Sequence, residues 1–384
     1  LASSFNEERK VTVTKITKVK NKYHHQPKID YSTISKEDKI KYLLKGSDAC
    51  KNYDERIVRV MAGFLNRQQK VYIFNSEGRY VEDTRTRGSA FISAIASNGD
   101  AIESAFEGPG ASKGFEFFNQ EIDFEKLGKE TAESAITMLN AKECPSGKMP
   151  VIIGNGFGGV IFHEACGHSL EASAVSKNLS VFSNKLGTKI ASDIVSAVDD
   201  GTIEGGWGSE NFDDEGNPTH RNLLIKDGIL TSYLIDPFNG RRMNAKENGT
   251  SRRQSYKYEP TSRMSNTFIL AGKSTPEEII KNTKFGLYAK KLGGGSVNPA
   301  TGEFNFAANE AYIVENGKIS YPVKGATLIG SGKEVLLKID MIANDLLRAQ
   351  GMCGAASGSI PTDVGQPTIR VSEMTVGGRG EKIN

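Results

Sequence analysis

Apolar residues alternate with Thr and Lys along Val11–Lys20, VTVTKITKVK. A period of two predicts a strand with one solvated face, its lysines guarding an edge. The period lengthens in SKEDKIKYLLKG, where Ser35 is placed to cap a helix and Gly46 to end it. ERIVRVMAGF and QKVYIFNSEGRYVEDTRTRGSAFISAIAS return to alternation and predict long strands joined by Asn75-Ser76-Glu77-Gly78. GDAIESAFEG continues this meander. Asp123 then caps FEKLGKETAESAITMLNAKE, whose Leu127, Ala135, Ile136 and Leu139 fall near helical spacing.

Pro145 and Gly147 interrupt the pattern and predict a boundary, giving an N-terminal α+β domain over 1–145 and a β-rich domain over 146–384. The second part opens as short strand, Gly-rich turn and helix in MPVIIGNGFGGVIFHEACGHSLEA. Asp227-Gly228 and Asn316-Gly317 sit between apolar runs, as hairpin turns do. Thr275-Pro276-Glu277-Glu278 reads as an N-cap, a proline at the first helical position and acids in the first turn. The predicted fold class is α+β: large, mostly antiparallel sheets with a few helices, one of which carries His163 and His168.

Composition narrows the function classes. Hydrophobic residues make up 38% and charged residues 25%, as in a soluble globular protein. The net charge of +3 is too small to argue for a nucleic-acid or membrane surface, and neither is expected as a partner. No apolar run approaches the roughly 20 residues needed to span a bilayer, and no signal peptide is apparent. Four cysteines are too sparse for a disulfide scaffold, which points to a reducing, cytoplasmic setting. The chain opens on Leu1, not Met, which points to a further segment upstream.

The chemistry concentrates in His163-Glu164-Ala165-Cys166-Gly167-His168. Zinc peptidase helices place two histidines four apart, about 40° around the axis. Five apart is about 140° on an ideal α-helix, too divergent to share a cation. A single π-turn restores convergence and is a common mark of a functional site. The motif therefore predicts a locally distorted helix. Glu164 is placed to lie beside a metal and activate its water, as the Glu of H-E-x-x-H does, or to be an ordinary surface carboxylate pairing with a neighbour. For a third donor the residues leave several candidates: Cys166, better read as a packed small hydrophobe; Glu171; His220; and Cys353 in the Gly- and Ser-rich AQGMCGAASGSIPTD, read as a loop. His24 and His25 carry no assigned role. GNGFGG lacks the Lys of a phosphate-binding loop and the βαβ setting of a dinucleotide fold, so it reads as a close-packed turn. Arg263 and Asn266 could stabilise an oxyanion, but structural hydrogen bonds are the simpler role for both.

The chain resembles the TldD/PmbA metallopeptidases, specifically their metal-bearing TldD side. The resemblance is carried by GGVIFHEACGHSLEA, FDDEGNPTHRNLLIKDGILTSYLID, SRMSNTFI, GEFNFAANEAYIVENGKISYPVKGATLIG and GMCGAASGSIPTDVGQPTIRVSEMTVGG, in that order. It implies zinc bound by His163, His168 and Cys353, with Glu164 as catalytic base. It also implies hydrolysis of flexible or unfolded peptides, and a homodimer or a heterodimer with a metal-less relative enclosing a chamber. Family members carry a longer region before residue 11. Two rival classes remain on the residues alone: an adaptor with a closed, structural zinc site, and a metal hydrolase of non-peptide amides.

Overall fold

A computed structural model describes residues 15–19, 26–298 and 301–383. Its N-terminal part is built on a ribbon of two long antiparallel strands, Ile57–Phe74 and Arg79–Ser97. At about 3.4 Å per residue each runs for roughly 60 Å. The strand Ile102–Glu107 extends the meander. Of the alternating segment 11–20, Thr17–Lys18 forms a strand parallel to Arg79–Tyr80; residues 11–14 and 20 lie outside the described residues, as do His24 and His25.

Two helices, Lys36–Lys51 and Phe124–Leu139, cover one face of the ribbon. Ile57, Ile92, Ala94 and Ala96 are buried there against Cys50, Ala132, Ala135 and Leu139. Ser35 and Asp123 cap these helices as the sequence predicts. Gly46 does not end its helix, which runs on to Lys51. It serves close packing instead: a Cβ added to Gly128 would lie 2.0 Å from the Gly46 carbonyl oxygen, so neither helix tolerates a side chain at the crossing.

The C-terminal part holds two large sheets. In one, the strands Phe285–Val297, Gly147–Ile153, Ile369–Gly377, Thr327–Ser331 and Glu303–Glu315 close into a ring, because the first and last also pair. The other has six strands, ending in Asn266–Ile269, Gly358–Gln366 and, at its edge, Leu347–Ala355. Pairing is antiparallel apart from a few parallel contacts such as Asn266–Phe268 with Asp363–Gly365. The Asp227-Gly228 and Asn316-Gly317 turns have positive φ at both residues, as tight hairpins require. Thr275 and Glu278 form a capping box. No helix among the described residues is long and apolar enough to cross a membrane.

One large core spans both sheets, with Val151, Ile153, Phe304 and Ile313 on one side and Ala197, Leu224 and Val364 on the other. The segment 156–170 runs through it. Ile161, Phe162, Ala165, Cys166 and Leu170 of that segment are buried, each large side chain contributing about 1.5–3 kcal/mol. The far end of the ribbon docks on this half through buried charge. Arg85 pairs with Asp83, Glu210 and Asp214, and Arg87 with Glu210 and the Trp207 carbonyl oxygen.

Candidate metal centre

The helical segment departs from α geometry where the motif lies. Gly156–Gly159 is 3₁₀, Val160–Phe162 a short α-turn, His163–Gly167 a π-turn, and His168–Leu170 again 3₁₀. The His168 N–H donates to the His163 carbonyl oxygen five residues back. That extra residue brings both imidazoles to one side, with ring centroids 5.0 Å apart.

Glycines set this path. A Cβ at Gly159 would lie 2.4 Å from the carbonyl carbon and oxygen of Gly365, so the segment can lie directly on the backbone of strand Gly358–Gln366. Gln366 Nε2 donates to the Gly154 carbonyl oxygen, and Asn155 Nδ2 to that of Asp345. GNGFGG is thus a close-packed turn.

Cys353 approaches from the other sheet. It sits within the antiparallel hairpin of Leu347–Ala355 and Gly358–Gln366, opposite Ile360, and not in a loop. Glycine-rich composition suggests irregular backbone, but a ladder is made by backbone groups and needs no side chain. Cys353 Sγ lies 3.2 Å from His163 Nε2 and 3.2 Å from His168 Nε2. One donor atom from each of the three residues falls within 4.8 Å of the others. Burial alone would raise the Cys353 thiol; the His163 charge and hydrogen bonds from both imidazoles outweigh it and bring the pKa down to about 4. Sulfur is thereby held as thiolate, the form that binds metals. Burial likewise opposes protonation of His168, but Glu171 and Cys353 raise its pKa well above the usual histidine value. Two imidazole nitrogens and a thiolate suit a borderline cation such as zinc.

Glu164 lies at the rim. Its side chain is 26% exposed and its Oε2 is 3.7 Å from His168 Nε2. Glu171 is not in the donor cluster: its Oε1 lies on the opposite ring nitrogen, His168 Nδ1, at 3.1 Å. Cys166 is fully buried in the core, where burial raises its pKa. His220 is exposed and outside the cluster. Among the described residues, His163 Nδ1 is buried without a hydrogen-bond partner.

Arg263 and Asn266 have structural contacts. The Arg263 guanidinium donates to the Cys353 carbonyl oxygen, Ser357 Oγ and the Gly358 carbonyl oxygen. Asn266 accepts from the Gly208 N–H and donates to Ser209 Oγ and the Asp200 carbonyl oxygen. Sequence reasoning did not foresee the roles of Glu171 and Arg263 around the cluster. The three-residue step from His168 to Glu171 is the one local signal for either.

Comparison with known proteins finds matches along most of the chain. The family model of the PmbA/TldA metallopeptidase C-terminal domain matches residues 146–378, and that of the central domain residues 29–139. A metalloprotease TldD homolog of Buchnera aphidicola (subspecies Schizaphis graminum) is 36% identical, over 98% of this chain and 80% of its own. Its Haemophilus influenzae counterpart is 40% identical, over 90% of this chain and 73% of its own. Among solved structures, a Thermotoga maritima protein described as a candidate modulator of a DNA gyrase superposes with a TM-score of 0.80 at 26% identity, covering 98% of this chain and 82% of its own.

Proposed function

From the premise that this chain belongs to the PmbA/TldD metallopeptidase family, we propose that it is a zinc-dependent peptidase acting on flexible or unfolded peptides. His163, His168 and Cys353 are the metal ligands in this reading and Glu164 is the general base. The observation that carries it is the convergence of three donors within 4.8 Å from segments 185 and 190 residues apart. Zinc held there would polarise the scissile carbonyl and lower the pKa of water. With three protein donors gathered among the described residues, the site fits the open pattern of catalytic zinc better than the four-ligand closure of a structural one.

The chain's own residues account for the proton movements. Glu164 is exposed enough to meet solvent and adjoins His163. It takes one proton as the water oxygen bonds to the carbonyl carbon, and gives it to the amide nitrogen as the C–N bond breaks. The peptide lies extended beside Leu347–Ala355, the outermost strand of its sheet, with main-chain hydrogen bonds giving little sequence preference.

The same reading divides the chain into 1–145 and 146–384, with chemistry in the second part, in keeping with the two family matches. It places the protein in the cytoplasm, with four free cysteines. It also includes a dimer, homomeric or with a metal-less relative; the exposed Met61, Leu65 and Phe106 supply apolar surface for one.

Metal analysis and a peptide-cleavage assay test the assignment. Glu164→Gln is expected to retain zinc and lose roughly 10²- to 10⁴-fold in hydrolysis. Full activity in that variant would remove Glu164 as the base.

A further inference from the structure

Two of the proposed ligands sit close to the ends of the elements that carry them. His168 stands where the π-turn gives way to 3₁₀. Cys353 is on the outermost strand of its sheet, two residues from the hairpin end. They converge to 3.2 Å, and their relative position depends on how helix and hairpin are tied together.

We propose that Glu171 and Arg263 are positioning residues that lock His168 and Cys353 into one frame, an inference that rests on the metal-site reading above. Glu171 sits in extended backbone just after the helical segment, and its Oε1 meets His168 Nδ1 at 3.1 Å. An acceptor there keeps a proton on Nδ1, so that Nε2 is the nitrogen left to give its lone pair to a metal. Arg263 has no solvent exposure. Its Nη2 donates to the Cys353 carbonyl oxygen at 2.8 Å, and its Nη1 to Ser357 Oγ at 2.6 Å and the Gly358 carbonyl oxygen at 3.2 Å. Its Nε faces Glu171 Oε1 at 3.7 Å.

One guanidinium thus grips three acceptors on the hairpin while its third nitrogen faces the carboxylate that orients His168. Among the described residues, Glu171 is the one carboxylate within ion-pair distance of this buried cation, and a buried charge without a counter-charge is costly. The chain of contacts runs His168, Glu171, Arg263, Cys353. Lysine could supply the charge but not the planar fork that spans both sides.

Zinc affinity, measured against a chromophoric chelator, and the thiolate-to-cobalt absorption of the Co²⁺-loaded protein separate positioning from simple stabilisation. Glu171→Gln and Arg263→Lys are each expected to weaken Zn²⁺ binding about 10- to 100-fold. Arg263→Lys should also shift the cobalt–sulfur band, because the Cys353 carbonyl is released. The double variant should lose less than the product of the two, since both act through one chain of contacts. Folded Glu171→Gln and Arg263→Lys proteins with wild-type Zn²⁺ affinity would overturn the proposal. If the Arg263 variants do not fold, Glu171→Gln decides alone: weakened binding supports it and unchanged binding ends it. Cys353→Ala reports on the ligand assignment itself: Zn²⁺ affinity equal to wild type there would refute the metal site, and with it this inference, whereas lost affinity there beside unchanged affinity in Glu171→Gln refutes only the positioning roles.

Discussion

Cys353 Sγ lies 3.2 Å from His163 Nε2, although 190 residues separate the two in the chain. The sulfur comes from the edge of one sheet and the imidazole from a helical segment wedged between two. A thiolate contributes charge as well as a bond, so its loss should cost more than that of a neutral donor. Cys353→Ala is expected to retain its fold and lose bound metal and hydrolysis together. Elemental analysis of the purified variant checks this; wild-type metal content would remove Cys353 from the ligand set.

Gly159 sets the position of the histidine-bearing segment. Its missing side chain allows contact with backbone atoms of Gly365, which cannot swing aside as the end of a long side chain can. Gly159→Ala should therefore destabilise the protein by about 1–3 kcal/mol or more and weaken metal binding by displacing both imidazoles. Gly294→Ala is the control: nothing lies within 4 Å of a Cβ there, and no positive φ opposes it. Thermal melts of both variants test the contrast, and an unaffected Gly159→Ala would contradict it.

What the sequence disclosed follows from how local each signal is. Ser35, Asp123 and Thr275 cap helices through contacts within a few residues, and Asp227-Gly228 needs positive φ whatever surrounds it. The π-turn was legible because a spacing of five is incompatible with convergence on a straight helix. Gly46 misled because the crossing with Gly128 is tertiary and leaves no mark in its own neighbours. Cys353 was legible as a candidate donor through resemblance but not as part of a strand, since glycine-rich backbone pairs without a hydrophobic pattern. Arg85 and Arg87 alternate with other polar residues as a solvated face would, yet Arg85 is buried and Arg87 largely covered by a segment more than a hundred residues away.

Glu310 joins the two parts of the chain. Its carboxylate accepts from Ser134 Oγ on the N-terminal helix and from Lys290 Nζ and Tyr312 Oη, each at 2.7 Å. Lys291 Nζ bonds Ser134 Oγ at 2.8 Å and pairs with Glu107 of the meander. Replacing Glu310 by Ala strands this network. The expected cost is roughly 2–3 kcal/mol, below that of breaking a fully buried pair, because both lysines keep some contact with water. Urea unfolding followed by circular dichroism and by fluorescence of the single tryptophan, Trp207, reads it. An unchanged midpoint in both signals would show that the network does not join the parts.

Asp213 gives the fold a pH dependence of its own. Burial raises its carboxyl to about 7, against hydrogen bonds from the Asn217, Glu215 and Ser251 N–H groups that favour the charged form. Between the unfolded value near 4 and the folded value near 7, the native chain holds a proton that the unfolded chain has released. Stability from this group is therefore full below about pH 4 and falls as pH rises through about 7, by at most roughly 4 kcal/mol. Asp213→Asn keeps an acceptor oxygen but does not titrate. Its melting temperature should lie below that of the wild type near pH 5, and the gap should narrow or reverse by about pH 8. Calorimetry of the two proteins across that range isolates Asp213 from the other titrating groups, which both share. A gap that stays constant with pH would place its folded pKa back in the ordinary carboxylate range.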